Sequence, residues 1–76
     1  MHVITVPDVG DSVTLVTLTQ WLKAVGDRVE QGEVVAEIMT DKAAFDVESP
    51  WAGTITAILA AEDDEIRVGS ELAHVA

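Results

Sequence analysis

Shifted by 37 positions, this 76-residue chain matches itself, and no other property restricts its fold so tightly. Thr17 falls on Thr54, Thr19 on Thr56, Leu22 on Leu59, Ala24 on Ala61, Asp27 on Asp64, Gly32 on Gly69 and Ala36 on Ala73. Leu18 with Ile55, Val29 with Ile66, Val35 with Leu72, and Ile38 with Val75 keep the apolar positions in step. A half of this length cannot bury its own apolar face, whereas two similar halves can bury theirs against each other. The repeat therefore predicts two four-stranded sheets related by a pseudo-twofold axis. The end of the first half, near Lys42, and the end of the second, near Ala76, are expected at opposite edges.

The local signals agree with strands. Val3–Val6 ends at Pro7-Asp8, and Val9-Gly10-Asp11-Ser12 reads as a surface loop. Val13–Val25 suits one long or broken strand pair, Val34–Met39 and Ala44–Glu48 form a hairpin, and Thr54–Ala60 follows Ser49-Pro50 and Gly53. Gly26-Asp27, Gly32 and Gly69 mark structural turns, and Gly53 is read with them. Short strands at this spacing define an all-β sandwich or barrel.

A chain this short buries only about 60% of its unfolded surface. With no cysteine it has no disulfide or thiolate chemistry, so aliphatic packing must hold it. Its net charge of −10 argues against nucleic acid, whose phosphates demand Lys and Arg. The acidity fits docking on basic surfaces as well as simple solubility. No apolar run reaches the ~18 residues of a membrane span. Strand-like sequence begins at Val3, without a leader, so a cytoplasmic domain over 1–76 that meets no membrane is the expectation.

Only two lysines occur, Lys23 and Lys42. Lys42 stands at the apparent hairpin tip in Thr40-Asp41-Lys42-Ala43, as a solvated turn residue or as an attachment point. Around it, in order, stand Pro7-Asp8-Val9-Gly10, Gly26-Asp27-Arg28-Val29 with Gly32, and Ser49-Pro50 with Gly53. Over essentially the whole chain this pattern resembles the lipoyl domains of 2-oxo acid dehydrogenase acyltransferases, in the biotinyl/lipoyl attachment family. The resemblance implies a flattened β-barrel, or barrel-sandwich hybrid, that carries lipoic acid as an amide on Lys42. Such a domain is a carrier and not itself an enzyme. Its arm takes an acyl group from a thiamine-diphosphate-dependent 2-oxo acid decarboxylase and delivers it to coenzyme A at an acyltransferase core. Dihydrolipoyl dehydrogenase then reoxidises it.

The resemblance also assigns neighbours of Lys42. Asp41 and Ala43 help a lipoate ligase or lipoyl transferase choose its lysine, although Asp also suits a plain turn. The loop Val9, Gly10, Asp11 and Ser12 is the expected docking surface for the decarboxylase. Met39 stands where many such domains have Glu, and Phe45-Asp46 is bulkier than usual. A biotin carrier shares the fold but places methionines beside its lysine. A glycine-cleavage carrier is longer, and an unmodified adaptor barrel leaves the lysine motif without a purpose.

The remaining polar residues carry plainer expectations. Glu62-Asp63-Asp64-Glu65 lacks the spaced ligands and glycine of a calcium loop and reads as a solvated turn. His2 and His74 are expected at the surface, and Trp21 and Trp51 over the barrel's ends or flank. Nothing suggests an acid–base pair in a pocket, or a metal site.

Overall fold

A computed structural model of the chain describes residues 1–10 and 12–76. Eight strands follow in order: β1 His2–Thr5, β2 Leu15–Trp21, β3 Arg28–Val29, β4 Val34–Met39, β5 Ala44–Glu48, β6 Gly53–Ile58, β7 Glu65–Arg67 and β8 Glu71–Val75. They form two antiparallel four-stranded sheets, ordered β1-β8-β6-β3 and β5-β4-β2-β7. There is no helix among the described residues. The molecule is flattened, with extents of 32 × 20 × 16 Å.

The sheet orders are images of each other, as the repeat predicts. Exchanging β1 with β5, β8 with β4, β6 with β2 and β3 with β7 turns one into the other. The symmetry extends to single hydrogen bonds. Leu18 pairs with Ile38 and Ile55 with Val75, and each ladder then slips by one residue. The residue at each slip is a threonine: Thr19 Oγ1 donates to the Glu37 carbonyl at 3.0 Å, and Thr56 Oγ1 to that of His74 at 3.4 Å. A second slip, in β4 and again in β8, lets successive residues face the interior, Val35 with Ala36 and Leu72 with Ala73. These four join Ile4, Val16, Leu18, Ile38, Ile55 and Val75 in one aliphatic core.

The corner turns repeat too. Asp27 Oδ2 accepts from the Ala24 N–H at 2.9 Å, and Asp64 Oδ2 from the Ala61 N–H at 2.9 Å. Gly26 has φ 95°, and its counterpart Asp63 adopts the same left-handed region at φ 73°. Asp tolerates that region because its short polar side chain bonds locally. The turn predicted at Glu62–Glu65 is thus a built corner: Glu62 Oε2 also accepts from the Trp21 N–H at 2.9 Å. No cluster of metal-ligating side chains occurs among the described residues.

Boundaries differ from the sequence reading: β1 is His2–Thr5 and not Val3–Val6, and β6 ends at Ile58, short of Ala60. β2 ends at Trp21, so Val13–Val25 is one strand with a corner after it. Lys23 accordingly lies past the strand, where its ammonium pairs with Glu33 at 2.7 Å. Gly53 is no turn residue. It opens β6, buried where a Cβ would strike the Ala76 carbonyl oxygen and lie 2.8 Å from Val75 Cγ1.

The aromatic residues hold structure in place. Trp21 Nε1 donates to the Ala60 carbonyl at 2.9 Å, and Trp51 stacks on His2 with ring centroids 4.0 Å apart. His74 Nε2 lies 2.9 Å from Glu71 Oε1.

The Lys23–Glu33 pair yields a pH prediction. Hydrogen bonding to Lys23, then to the Glu30 N–H, holds the Glu33 carboxyl below its ordinary 4.5, and Glu33 raises Lys23 above 10.5. A depressed carboxyl adds stability above its unfolded value and loses it as pH falls through the folded one; the raised lysine adds stability that fades as pH climbs past 10.5. Urea titrations should therefore show Glu33→Gln less stable than the parent near neutrality, with the gap closing in acid. An unchanged gap across the acid limb would refute this origin.

Candidate functional site: a lysine on a locked hairpin

Strands β4 and β5 end together, with Met39 opposite Ala44, and four residues close the turn. The Thr40 N–H donates to the Ala43 carbonyl at 2.8 Å. The Thr40 hydroxyl does the remaining tying. It accepts from the N–H groups of Lys42 and Ala43, each at 3.2 Å, and donates to the Ala43 carbonyl at 3.2 Å. A Thr hydroxyl that bonds backbone ahead of it is a recognised turn-former. The sequence offers Asp41 as a turn former; the signal for Thr40 is a hydroxyl residue at a strand end.

Asp41, Lys42 and Ala43 are all exposed. The Lys42 ammonium has no hydrogen bond or ion pair among the described residues, and neither has the Asp41 carboxylate. Lys23 contrasts on every count: its side chain is 22% exposed, paired with Glu33 and 3.4 Å from the Arg28 carbonyl. The backbone at 42 is fixed and its amine has no partner among the described residues; at 23 the amine is engaged.

The loop after β1 packs beside this tip. Val9, Ser12 and Val13 share a cleft of about 390 Å³ with Thr40, Asp41, Lys42, Ala43 and Phe45. Gly10 lines the loop's other side, with Asp8 and Arg67. Of the expected docking loop, Asp11 lies outside the described residues. The twofold explains the loop's independence. His2 opposite Val75 corresponds to Phe45 opposite Ile38, an offset of 43 where the other strands keep 37, so six extra residues lie between β1 and β2. Gly26, Gly32 and Gly69 sit in turns with positive φ, and Asp27 closes the first of them.

Fold and site together define a small all-β domain that presents an exposed lysine, unpaired among the described residues, on a hydrogen-bonded hairpin. Comparison with known proteins agrees. The biotin/lipoyl family model, described as "Biotin-requiring enzyme", matches residues 2–75. The dihydrolipoyllysine-residue acetyltransferase component of the pyruvate dehydrogenase complex of Corynebacterium glutamicum is 54% identical over 69 residues, covering 91% of this chain and 10% of that protein. The lipoamide acyltransferase component of the branched-chain alpha-keto acid dehydrogenase complex of Pseudomonas putida is 39% identical over 97% of this chain and 18% of its own length. The chain thus spans a tenth to a fifth of these relatives. The lipoyl domain of the 2-oxoglutarate dehydrogenase complex of Azotobacter vinelandii superposes with a TM-score of 0.74 at 27% identity, over 96% of this chain and 95% of that one. The chain belongs to the biotin/lipoyl family, and within it to the lipoyl domains of 2-oxo acid dehydrogenase acyltransferase components.

Proposed function

We propose that Lys42 Nζ carries lipoic acid in amide linkage and that the domain is the mobile acyl carrier of a 2-oxo acid dehydrogenase complex. The observation that carries this reading is the difference between the two lysines, one exposed on a locked tip with no partner among the described residues and one held by Glu33. A modifying enzyme must bring a lysine's amine to a reactive, neutral state, because an ordinary lysine is almost wholly protonated near pH 7. An exposed tip lets that enzyme enclose the residue. Asp41 and Ala43, both exposed beside it, are the side chains such an enzyme meets first, and neither is the methionine expected of a biotin carrier.

Held on Lys42 Nζ, a lipoyl group would supply a redox-active dithiolane suited to taking up an acyl group and releasing it to coenzyme A. The chain's own residues supply position: Thr40 fixes the backbone from which the arm departs, and the β4–β5 ladder keeps the base rigid. Holding the reacting group to a docked partner replaces a chance encounter by proximity and orientation. The partners on this reading are the decarboxylase, the acyltransferase core, dihydrolipoyl dehydrogenase and a lipoate ligase or transferase. The decarboxylase would dock on the tip and the Val9–Ser12 loop. Offered a lipoate ligase and a biotin ligase in parallel, the domain should gain the mass of one lipoyl amide and no biotin. Biotin uptake alone would assign it to the other carriers of the family.

A further inference from the structure

Beside the tip, the outer face of the β5-β4-β2-β7 sheet leaves two large apolar side chains uncovered. Leu15 is 45% exposed and Met39 46%. Met39 pairs with Thr17, and Leu15 lies two residues further along β2. Both side chains line an open cleft of about 530 Å³ whose walls include Thr40 and Asp41, and whose far side is closed by Glu65. Arg67, paired with Leu15, stands beyond it. Resting on the lipoyl reading above, we infer that this cleft is a seat for the domain's own arm, and that the arm exchanges between lying over Met39 and Leu15 and reaching outward.

Three observations select this occupant. The cleft begins at the two residues that precede the attachment point, so the arm is tethered at its mouth. Tethering through a short flexible link gives an effective concentration of the order of millimolar, enough to populate a weak contact. Amide formation removes the Lys42 charge and leaves a neutral, largely apolar arm suited to two apolar side chains. Finally, the patch is far smaller than the roughly 20 residues a side of a stable protein interface. A small group can fill it between visits to a docked partner.

The seat would keep the dithiolane near its base between visits and partly covered. Isotope-labelled domain, loaded by a lipoate ligase and verified by intact mass, should show nuclear Overhauser contacts from the ring and acyl-chain protons to the Met39 and Leu15 methyl groups. The reduced arm should react with iodoacetamide about twofold or more slowly in the parent than in the Met39→Gln, Leu15→Thr double variant. A loaded domain with no such contacts overturns the seat and leaves the carrier assignment standing. A domain that lipoate ligase cannot load overturns both. If the double variant does not fold, the contacts in the parent decide alone.

Discussion

Lys42→Arg should abolish lipoylation completely while leaving the fold unchanged. Arginine keeps the positive charge and most of the length but cannot act as an amine nucleophile, since its guanidinium stays protonated. The side chain contributes nothing to the core, and the turn's hydrogen bonds run through Thr40 and the backbone of residue 42. Surface changes of this kind usually alter stability by no more than about 0.5 kcal/mol. Intact mass after incubation with ligase and lipoate should show full loading of the parent and none of the variant, with matching urea midpoints. Loading that persists at Lys23 would sink the assignment. That outcome would require breaking the 2.7 Å pair with Glu33, which makes Lys23 a poor rival. The complementary variant, Thr40→Val, removes three hydrogen bonds at the tip and should lower loading while Lys42 remains.

Gly53→Ala should cost the domain a large share of its stability. A Cβ at position 53 meets a backbone oxygen, that of Ala76, and lies 2.8 Å from Val75 Cγ1. Backbone cannot swing aside as a side chain can. Both neighbours belong to the β6–β8 ladder, where Thr54 and Ala76 exchange hydrogen bonds at 3.0 and 2.9 Å. Overpacking of this kind costs about 1–3 kcal/mol. A small domain has little more than about 5 kcal/mol in hand. Gly26→Asp supplies the control. Position 26 also has a positive φ, yet nothing lies within 4 Å of its Cβ, and its twofold mate Asp63 already adopts that conformation. Urea midpoints should fall far for Gly53→Ala and little for Gly26→Asp. Equal midpoints for parent and Gly53→Ala would show that β8 gives way freely.

The contrast between these two glycines also shows what a sequence can and cannot convey. The 37-residue offset alone marks Gly26 and Asp63 as equivalent, because a corner turn is a local device with a local signature. Gly53 looks like one more turn signal, since the backbone that excludes its Cβ belongs to residues 75 and 76, distant in sequence. Strands β3 and β7, two and three residues long, carry too few side chains to show alternation. They are defined by partners across the sheet. At the tip, Asp41, Lys42 and Ala43 stand out through their motif. The seat beside them does not, because Leu15 and Met39 become neighbours only through the pairing of β2 with β4. The nearness of Val9 and Ser12 to the tip is expected from the family resemblance alone, since the six residues that break the repeat carry no signal of where the loop packs.

The twofold has a further consequence for how many arms such a domain can bear. It carries the tip of the β4–β5 hairpin onto the paired ends of β8 and β1. Those two strands come last and first in the fold, so no hairpin can join them within it, and the second copy of the tip has nowhere to form. On the lipoyl reading, the fold offers one such tip for loading and not two. The repeated half-motif closes one core without repeating the hairpin tip. A protein that needs more arms within reach of one active site must therefore add whole domains in series, each bringing one lysine and one complete core.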